Sequence, residues 1–167
     1  MKRERVQGSG DRVQGIRIDN LHKKYRLNIA FIKKITAEIL RYLKKSRGIE
    51  LEIVFLNDNA ISALNKKYKG RSGPTDVLSF GIDRKEFGKK GFIGEIFISP
   101  DQALRNSKIF KTPLEEEIIL YVIHGILHLS GYDDERAPDK RRMAKIQDEI
   151  LKYLWKKENL SKVLTPR

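Results

Sequence analysis

PLEEEIILYVIHGILHLSG, at residues 113–131, is the stretch that decides the fold. Pro113 suits a helix start, and the three glutamates that follow lie where the helix dipole favours acidic groups. The residues from Ile118 to Leu129 are mostly apolar, which predicts a helix buried at the centre of the molecule. Gly131 can adopt the left-handed conformation that ends a helix, so we expect the chain to turn back there.

Segments with strand and helix character follow one another on both sides of this stretch. Runs rich in β-branched and aromatic residues predict strands at residues 13–19, 51–56, 76–80 and 93–99. Capping residues and apolar spacing predict further helices that begin at Asn28, Asn57, Pro100 and Pro138. Gly48 is predicted to end the first of them, and the second is expected to be short and to run through Leu64. The order indicates one α+β domain, with a mixed sheet of about four strands covered by about five helices.

Length and composition limit the classes of protein that fit. The 167 residues suffice for one domain, which we place at residues 13–160 after a flexible basic arm at residues 1–12. The absence of cysteine excludes disulfides, thiolate catalysis and cysteine-ligated metals. No apolar run approaches the ~18 residues of a membrane span, and none follows the basic N-terminus as a signal peptide requires. These features predict a soluble, cytoplasmic protein.

Charge is unevenly distributed along the chain. The 35 Lys and Arg residues outnumber 22 Asp and Glu residues, which gives a net charge of +13. Such a field favours nucleic acid as a partner, although the charged surface of a heat-adapted protein is an alternative. Residues 113–138 reverse the sign, with six acidic side chains and one basic, and hold two of the three histidines. A metal cation fits this acidic segment, and a polyanion fits its basic surroundings.

The histidine spacing predicts a metal site. His124 and His128 are four residues apart, so a helix places them on one face where both imidazoles can bind one ion. After the turn at Gly131, either Asp133 or Asp134 can supply a third ligand. Two histidines and a carboxylate with an open position are typical of catalytic metal sites. The alternative is a chance histidine pair on an apolar helix.

The same segment excludes the usual zinc peptidase. Its spacing, H-x-x-x-H-x-x-G-x-x-D, parallels the long zinc-protease motif, in which a glutamate follows the first histidine and acts as general base. Gly125 occupies that position here. The sequence therefore predicts a metal site without peptidase machinery.

Two separated motifs resemble the YbeY family of metallo-endoribonucleases. HGILHLSGYDD (residues 124–134) is similar to the family signature H-G-x-L-H-L-x-G-Y-D-H, and PTDVLSF (residues 74–80) agrees with it. The flanking segments LNKKY (residues 64–68) and IGEIFIS (residues 93–99) extend the resemblance over about residues 50–150.

The resemblance implies a cytosolic bacterial enzyme that carries one zinc ion and cleaves single-stranded RNA. It implies work in small-subunit rRNA 3′-end maturation and ribosome quality control. The expected partners are rRNA, the ribosome, ribosomal proteins and a GTPase, with no membrane.

One departure from the family pattern concerns the third metal ligand. The resemblance implies His124, His128 and residue 134 as ligands, and residue 134 is aspartate where the family has histidine. Asp133 matches the family's own aspartate, which makes it the weaker ligand candidate. Because a carboxylate is a harder ligand than imidazole, divalent metals other than zinc also fit.

A second departure concerns the cation that the family places after the tyrosine of its LNxxY segment. The family has arginine there, whereas this chain has Lys69, with Arg71 two residues on. The resemblance implies that one of them is catalytic and holds the scissile phosphate. Thr75, Asp76 and Ser79 are candidate substrate-binding residues, although a capped loop and a strand would explain them equally well.

Some functional alternatives stay open from the sequence. It offers no obvious general base, so a metal-bound hydroxide or the 2′-hydroxyl of the RNA are both candidates for that role. A ribosome-binding factor with a structural metal, or another metal-dependent hydrolase, are the competing functions. His22, alone in a basic stretch, is expected at the surface.

Overall fold

A four-stranded mixed sheet supports the fold. Its strands are β1 (Ile16–Asn20), β2 (Ile49–Phe55), β3 (Val77–Gly81) and β4 (Phe92–Ile98), in the spatial order β1-β2-β4-β3. β2 pairs in parallel with both β1 and β4, while β3 pairs antiparallel to β4 at one edge of the sheet. The computed structural model describes residues 15–81 and 92–166, so the predicted arm at residues 1–12 lies outside the described residues.

Five α-helices and one short 3₁₀ helix cover this sheet in the described part of the chain. They are α1 (Ile29–Tyr42), α2 (Asp58–Lys69), α3 (Pro100–Phe110), α4 (Leu114–Leu129), α5 (Ala137–Lys157) and the 3₁₀ helix Leu160–Val163. The predicted α+β class, with a four-stranded mixed sheet and five helices, is confirmed. None of the helices in the described part is long and apolar enough to cross a membrane.

Two predicted helix ends were wrong. α1 stops at Tyr42, before Gly48, because Lys44 takes a positive φ of 56° and the Lys45 amide bonds back to the Leu40 carbonyl at 2.7 Å. α2 continues past Leu64 to Lys69 and ends at Gly70, whose φ of 66° is left-handed. The longer α2 brings its last turn to the edge of the sheet.

α4 is the central helix, as predicted. It packs against β3 and β4 on one face of the sheet and is flanked by α1, α3 and α5. Six of its apolar residues are fully buried, namely Ile118, Ile119, Val122, Ile123, Ile126 and Leu127. The packing is closest at Gly125, where an added Cβ would lie 2.6 Å from a methyl group of Ile96. Residue 125 therefore faces the sheet, and a glutamate does not fit there.

α2 lies on the opposite face of the sheet. Ile61 of α2 packs into a small apolar cluster with Val54, Leu56 and Leu78. The edge strand β3 thus has α4 on one face and α2 on the other. The loop at residues 70–76, between α2 and β3, follows this edge toward the last turn of α4.

Candidate metal centre

The end of α4 brings two histidines and one aspartate together. The Nε2 atoms of His124 and His128 are 3.0 Å apart. Gly131, with a φ of 93°, turns the chain back, so that Asp134 reaches the same point. Its carboxylate oxygens lie 3.6 Å from the Nε2 of His124 and 3.7 Å from that of His128. In the part of the chain that the structure describes, this is the one group of such side chains close enough to hold a metal ion.

Hydrogen bonds at the far side of each ring fix the tautomers. His128 Nδ1 lies 3.1 Å from the Tyr132 carbonyl oxygen, which can only accept, so that nitrogen carries the proton. His124 Nδ1 lies 3.1 Å from the Gln147 side-chain oxygen and donates in the same way. Both Nε2 atoms therefore turn a lone pair toward the other and toward a carboxylate.

Three converging acceptors fit a divalent cation. Ligand atoms at about 2.0–2.1 Å from one ion in a tetrahedral arrangement lie roughly 3.3 Å apart, close to the separations in this cluster. Burial, and then the neighbouring His128 ring, lower the pKa of His124 below its usual range. The ring is therefore neutral at pH 7 and its lone pair is available to a metal.

The two aspartates that follow the turn have different environments. One carboxylate oxygen of Asp133 accepts the backbone N–H groups of Asp134 at 2.7 Å and of Glu135 at 3.1 Å. This carboxylate braces the turn, whereas that of Asp134 faces the histidines. Spacing alone could not choose between the two aspartates, and this geometry favours Asp134 as the third metal ligand.

The cluster lies in a cleft of about 520 Å³ that also contains every other predicted site residue. Those residues are Lys69, Arg71, Thr75, Asp76 and Ser79. An Asp76 carboxylate oxygen accepts the Thr75 hydroxyl at 3.1 Å and the Val77 N–H at 2.8 Å, which orders the start of β3. The Ser79 hydroxyl donates to the Gly125 carbonyl at 3.3 Å and so ties β3 to α4.

Sequence reasoning missed two residues that support the site. Gln147 of α5 orients the His124 ring, and it is a polar residue on the helix face that also carries Met143 and Ile150. Its position on that apolar face was the available signal. Asn65 of α2 is 6% exposed and donates to the Gly73 carbonyl at 3.0 Å, which holds the loop that carries Arg71.

The fold and this cleft define a small α+β protein with a candidate catalytic metal centre of two histidines and a carboxylate. The chain belongs to the YbeY family, whose members are endoribonucleases. The family model described as Endoribonuclease YbeY matches residues 17–155, which include the whole of the cleft.

Relatives and a solved structure agree with this assignment. The chain is 38% identical over 126 residues to an Endoribonuclease YbeY of Persephonella marina, a match that covers 74% of this chain and 82% of the relative. It is 33% identical to that of Syntrophotalea carbinolica, with 81% and 98% covered. The solution structure of TM1509 from Thermotoga maritima matches with a TM-score of 0.60 and 27% identity, over 85% of this chain and 90% of that one.

Proposed function

We propose that this chain is a metal-dependent endoribonuclease that cleaves single-stranded RNA in rRNA maturation, at the 3′ end of the small-subunit rRNA, and in ribosome quality control. The observation that carries the proposal is the close approach of the His124 and His128 Nε2 atoms, which lie 3.0 Å apart beside the Asp134 carboxylate. Family membership supports the endoribonuclease activity, and the net charge of +13 suits an RNA substrate.

His124, His128 and Asp134 would hold the metal, for which zinc is our proposal. This donor set leaves a coordination position for water or substrate, as catalytic zinc sites do. A bound divalent ion supplies Lewis acidity, which lowers the pKa of a water molecule and offsets charge on a phosphate oxygen. Asp134 adds a negative charge that a histidine would not, so harder divalent ions also suit the site.

Lys69 and Arg71 would bind the scissile phosphate from the opposite wall of the cleft. Both line the cleft, and the planar guanidinium of Arg71 can donate two parallel hydrogen bonds to a phosphate. Lys69 acts as a point charge. The buried Asn65 side chain, bonded to the Gly73 carbonyl, positions the loop that carries Arg71.

Two nucleophiles fit this cleft, and their products differ. Attack by the 2′-hydroxyl of the RNA leaves a 2′,3′-cyclic phosphate and requires a ribose at the cut. Attack by water leaves no cyclic phosphate and tolerates a 2′-deoxy substitution at that position. End-group analysis of the cleavage products therefore decides between them.

The cellular setting follows the family resemblance. We place the protein in the cytoplasm, with rRNA and the ribosome as partners and with ribosomal proteins and a GTPase as protein partners. The acidic segment that holds the metal ligands, within a basic chain, suits an enzyme that attracts RNA while it retains a cation.

Cleavage of end-labelled single-stranded RNA tests the proposal. Wild-type protein and His128→Ala are purified identically and assayed as isolated, after chelation and after zinc is returned. We expect cleavage by the wild type alone, and only with metal. Lys69→Ala and Arg71→Ala should each slow cleavage, whereas Lys66→Ala, on the same exposed helix end, should not.

Other results would contradict the proposal. Equal cleavage by wild type and His128→Ala identifies a contaminant. RNA binding by both without cleavage indicates a ribosome-binding factor whose metal is structural. Cleavage at full rate after chelation excludes a metal-dependent reaction.

A further inference from the structure

Tyr68 is a large aromatic side chain that the packing of the domain leaves exposed. It follows Ile61 and Asn65 along the inward face of α2, since these residues recur at helical spacing. Ile61 is fully buried and Asn65 is 6% exposed, whereas Tyr68 is 55% exposed. The side chains on this face become more exposed toward the C-terminal end of α2, because that end lies at the edge strand β3.

The Tyr68 ring is held in place by a second aromatic side chain. It packs edgewise on Phe80 of β3, with 5.2 Å between ring centroids. Phe80 packs in turn on Phe97 of β4, at 5.9 Å. Such edge-to-face contacts restrict a ring without covering both of its faces. Phe80 thus holds the Tyr68 ring at one side, and more than half of the side chain stays exposed.

This ring belongs to the residue next to one that lines the cleft. The next residue, Lys69, lines the cleft, and its Nζ atom lies 5.9 Å from the centroid of Phe80, the ring on which Tyr68 packs. The Nζ atom of Lys67 lies 5.1 Å from the Tyr68 ring centroid. An exposed aromatic ring with a lysine on either side in the sequence combines the two features by which proteins bind single-stranded nucleic acid, base stacking and phosphate neutralisation.

Other exposed aromatic side chains in the described part of the chain lack this combination. Tyr42 packs on Tyr153 with ring centroids 5.1 Å apart, and the Trp155 indole donates to Glu116 at 2.8 Å. Phe110 is 65% exposed but ends α3, next to the start of α4, whereas the metal ligands are at the other end of α4. Phe110 is therefore a suitable control.

We infer that Tyr68 is a stacking platform for an unpaired base of the RNA strand that passes over Lys69 in the cleft. The inference rests on the proposed function, because it assigns a further contact to the same substrate. A base can stack on Tyr68 only when it is unpaired, so this contact favours single-stranded over double-stranded RNA.

Cleavage kinetics of the full chain with zinc give the first test. Tyr68→Ala should raise KM for a short single-stranded RNA about tenfold, with kcat changed less than about threefold, because stacking is lost and the reacting groups are untouched. Tyr68→Phe should restore the wild-type KM, since phenylalanine keeps the ring. Phe110→Ala should leave both constants unchanged.

Fluorescence gives a second test that needs no cleavage. The chain has one tryptophan, so the double variant Trp155→Phe, Tyr68→Trp places its single indole at position 68. We expect its emission to be quenched by the single-stranded RNA, and much less by the same RNA in a duplex or by an abasic ribose-phosphate oligomer. The single variant Trp155→Phe serves as the blank, and it should cleave RNA as the wild type does.

The outcomes separate this inference from the proposed function. A wild-type chain that fails to cleave RNA with metal contradicts the proposed function, while quenching still reports whether a base stacks on residue 68. An unchanged KM in Tyr68→Ala overturns the inference, whether or not quenching is seen. Equal quenching by the abasic oligomer also overturns it, because the contact is then with phosphate alone.

Discussion

The three histidines lie in two clusters that use the same residue types and differ in how their polar atoms are paired. His22, which we expected at the surface, is only 6% exposed, so that expectation was wrong. Its Nε2 lies 2.8 Å from an Asp101 carboxylate oxygen, and its Nδ1 accepts the Lys24 N–H at 3.3 Å. The ring therefore donates on one side and accepts on the other, as a neutral imidazole can.

The groups around His22 continue this complementary pairing. The second Asp101 oxygen accepts the Tyr25 hydroxyl at 3.2 Å. Burial and the Asp101 carboxylate raise the pKa of Tyr25 to about 12, so the phenol stays protonated as a donor. Asp58, next to them, accepts two hydrogen bonds from Arg105, at 2.7 and 3.0 Å. This cluster joins the loop before α1 to the first turns of α2 and α3.

The cleft has the opposite arrangement. There the Nδ1–H groups of the two imidazoles donate to partners outside the cluster. Their Nε2 atoms face each other and the Asp134 carboxylate, so every atom that points into the cluster is an acceptor. A cluster in which every donor meets an acceptor stabilises the fold by itself, whereas converging acceptors call for a cation. The pairing of polar atoms, more than the residue types, separates the structural cluster from the candidate site.

Removal of a ligand from the cleft should give the largest effect. We expect His124→Ala to weaken zinc binding by more than about 100-fold. In chelator, its free energy of unfolding should fall by only about 1 kcal/mol, the cost of the lost hydrogen bond to Gln147, because the metal-free cluster has no favourable bond between its acceptors. Isothermal titration with zinc and urea unfolding measure the two quantities.

Zinc itself provides the control for that variant. Added zinc should raise the unfolding midpoint of the wild type and leave that of His124→Ala unchanged, since only a bound ligand stabilises the folded state. Equal stabilisation of both proteins by zinc would show that zinc binds at a site other than this cluster.

The reverse result is expected at His22. His22→Ala leaves a half-buried Asp101 carboxylate oxygen with only the long hydrogen bond from the Asp58 N–H, at 3.4 Å, so we expect a loss of about 2 kcal/mol in the free energy of unfolding. Zinc affinity should be unchanged. Lys23→Ala, at the exposed neighbouring position, is the matched control and should cost less than about 0.5 kcal/mol. A weaker zinc affinity in His22→Ala would contradict the separation of the two clusters.

The contrast also explains how much could be predicted from sequence. The apolar run of α4, the spacing of its histidines and the glycine stop at Gly131 are local features, and they predicted the central helix and two candidate ligands. The strand segments were likewise visible from composition. Local spacing could not choose between Asp133 and Asp134, because that choice depends on which carboxylate the backbone of the turn engages.

The missed features depend on contacts between distant segments. The buried His22 ring forms a hydrogen bond with Asp101, 79 positions further along the chain, and the basic stretch around His22 does not indicate that partner. Gln147 contacts His124 across two helices. Gly125 shows the same limit, because the sequence presents it as a missing general base. In the fold it is the residue that lets α4 approach Ile96 of β4.

The Asp58–Arg105 pair should give the smallest effect, and one that depends on pH. The hydrogen bonds from Arg105 lower the pKa of Asp58 below its ordinary value of 3.8, although burial opposes them. A lowered folded-state pKa means that the pair stabilises fully above the unfolded pKa and loses that contribution as pH falls through the folded one. Because both side chains are partly exposed, Arg105→Gln should cost no more than about 1 kcal/mol at pH 7.

The difference in unfolding free energy between wild type and Arg105→Gln should shrink toward zero between pH 7 and a pH below the lowered folded-state pKa of Asp58, where this carboxyl is protonated in both proteins. Arg136→Gln removes a comparable hydrogen-bonded pair, with Asp139, in which the arginine side chain is 80% exposed. It should leave stability nearly unchanged at either pH, because solvent screens the pair. A difference for Arg105→Gln that stayed constant with pH would mean that Arg105 stabilises the His22 cluster through packing. The ion pair between Asp58 and Arg105 would then contribute nothing to the free energy of unfolding.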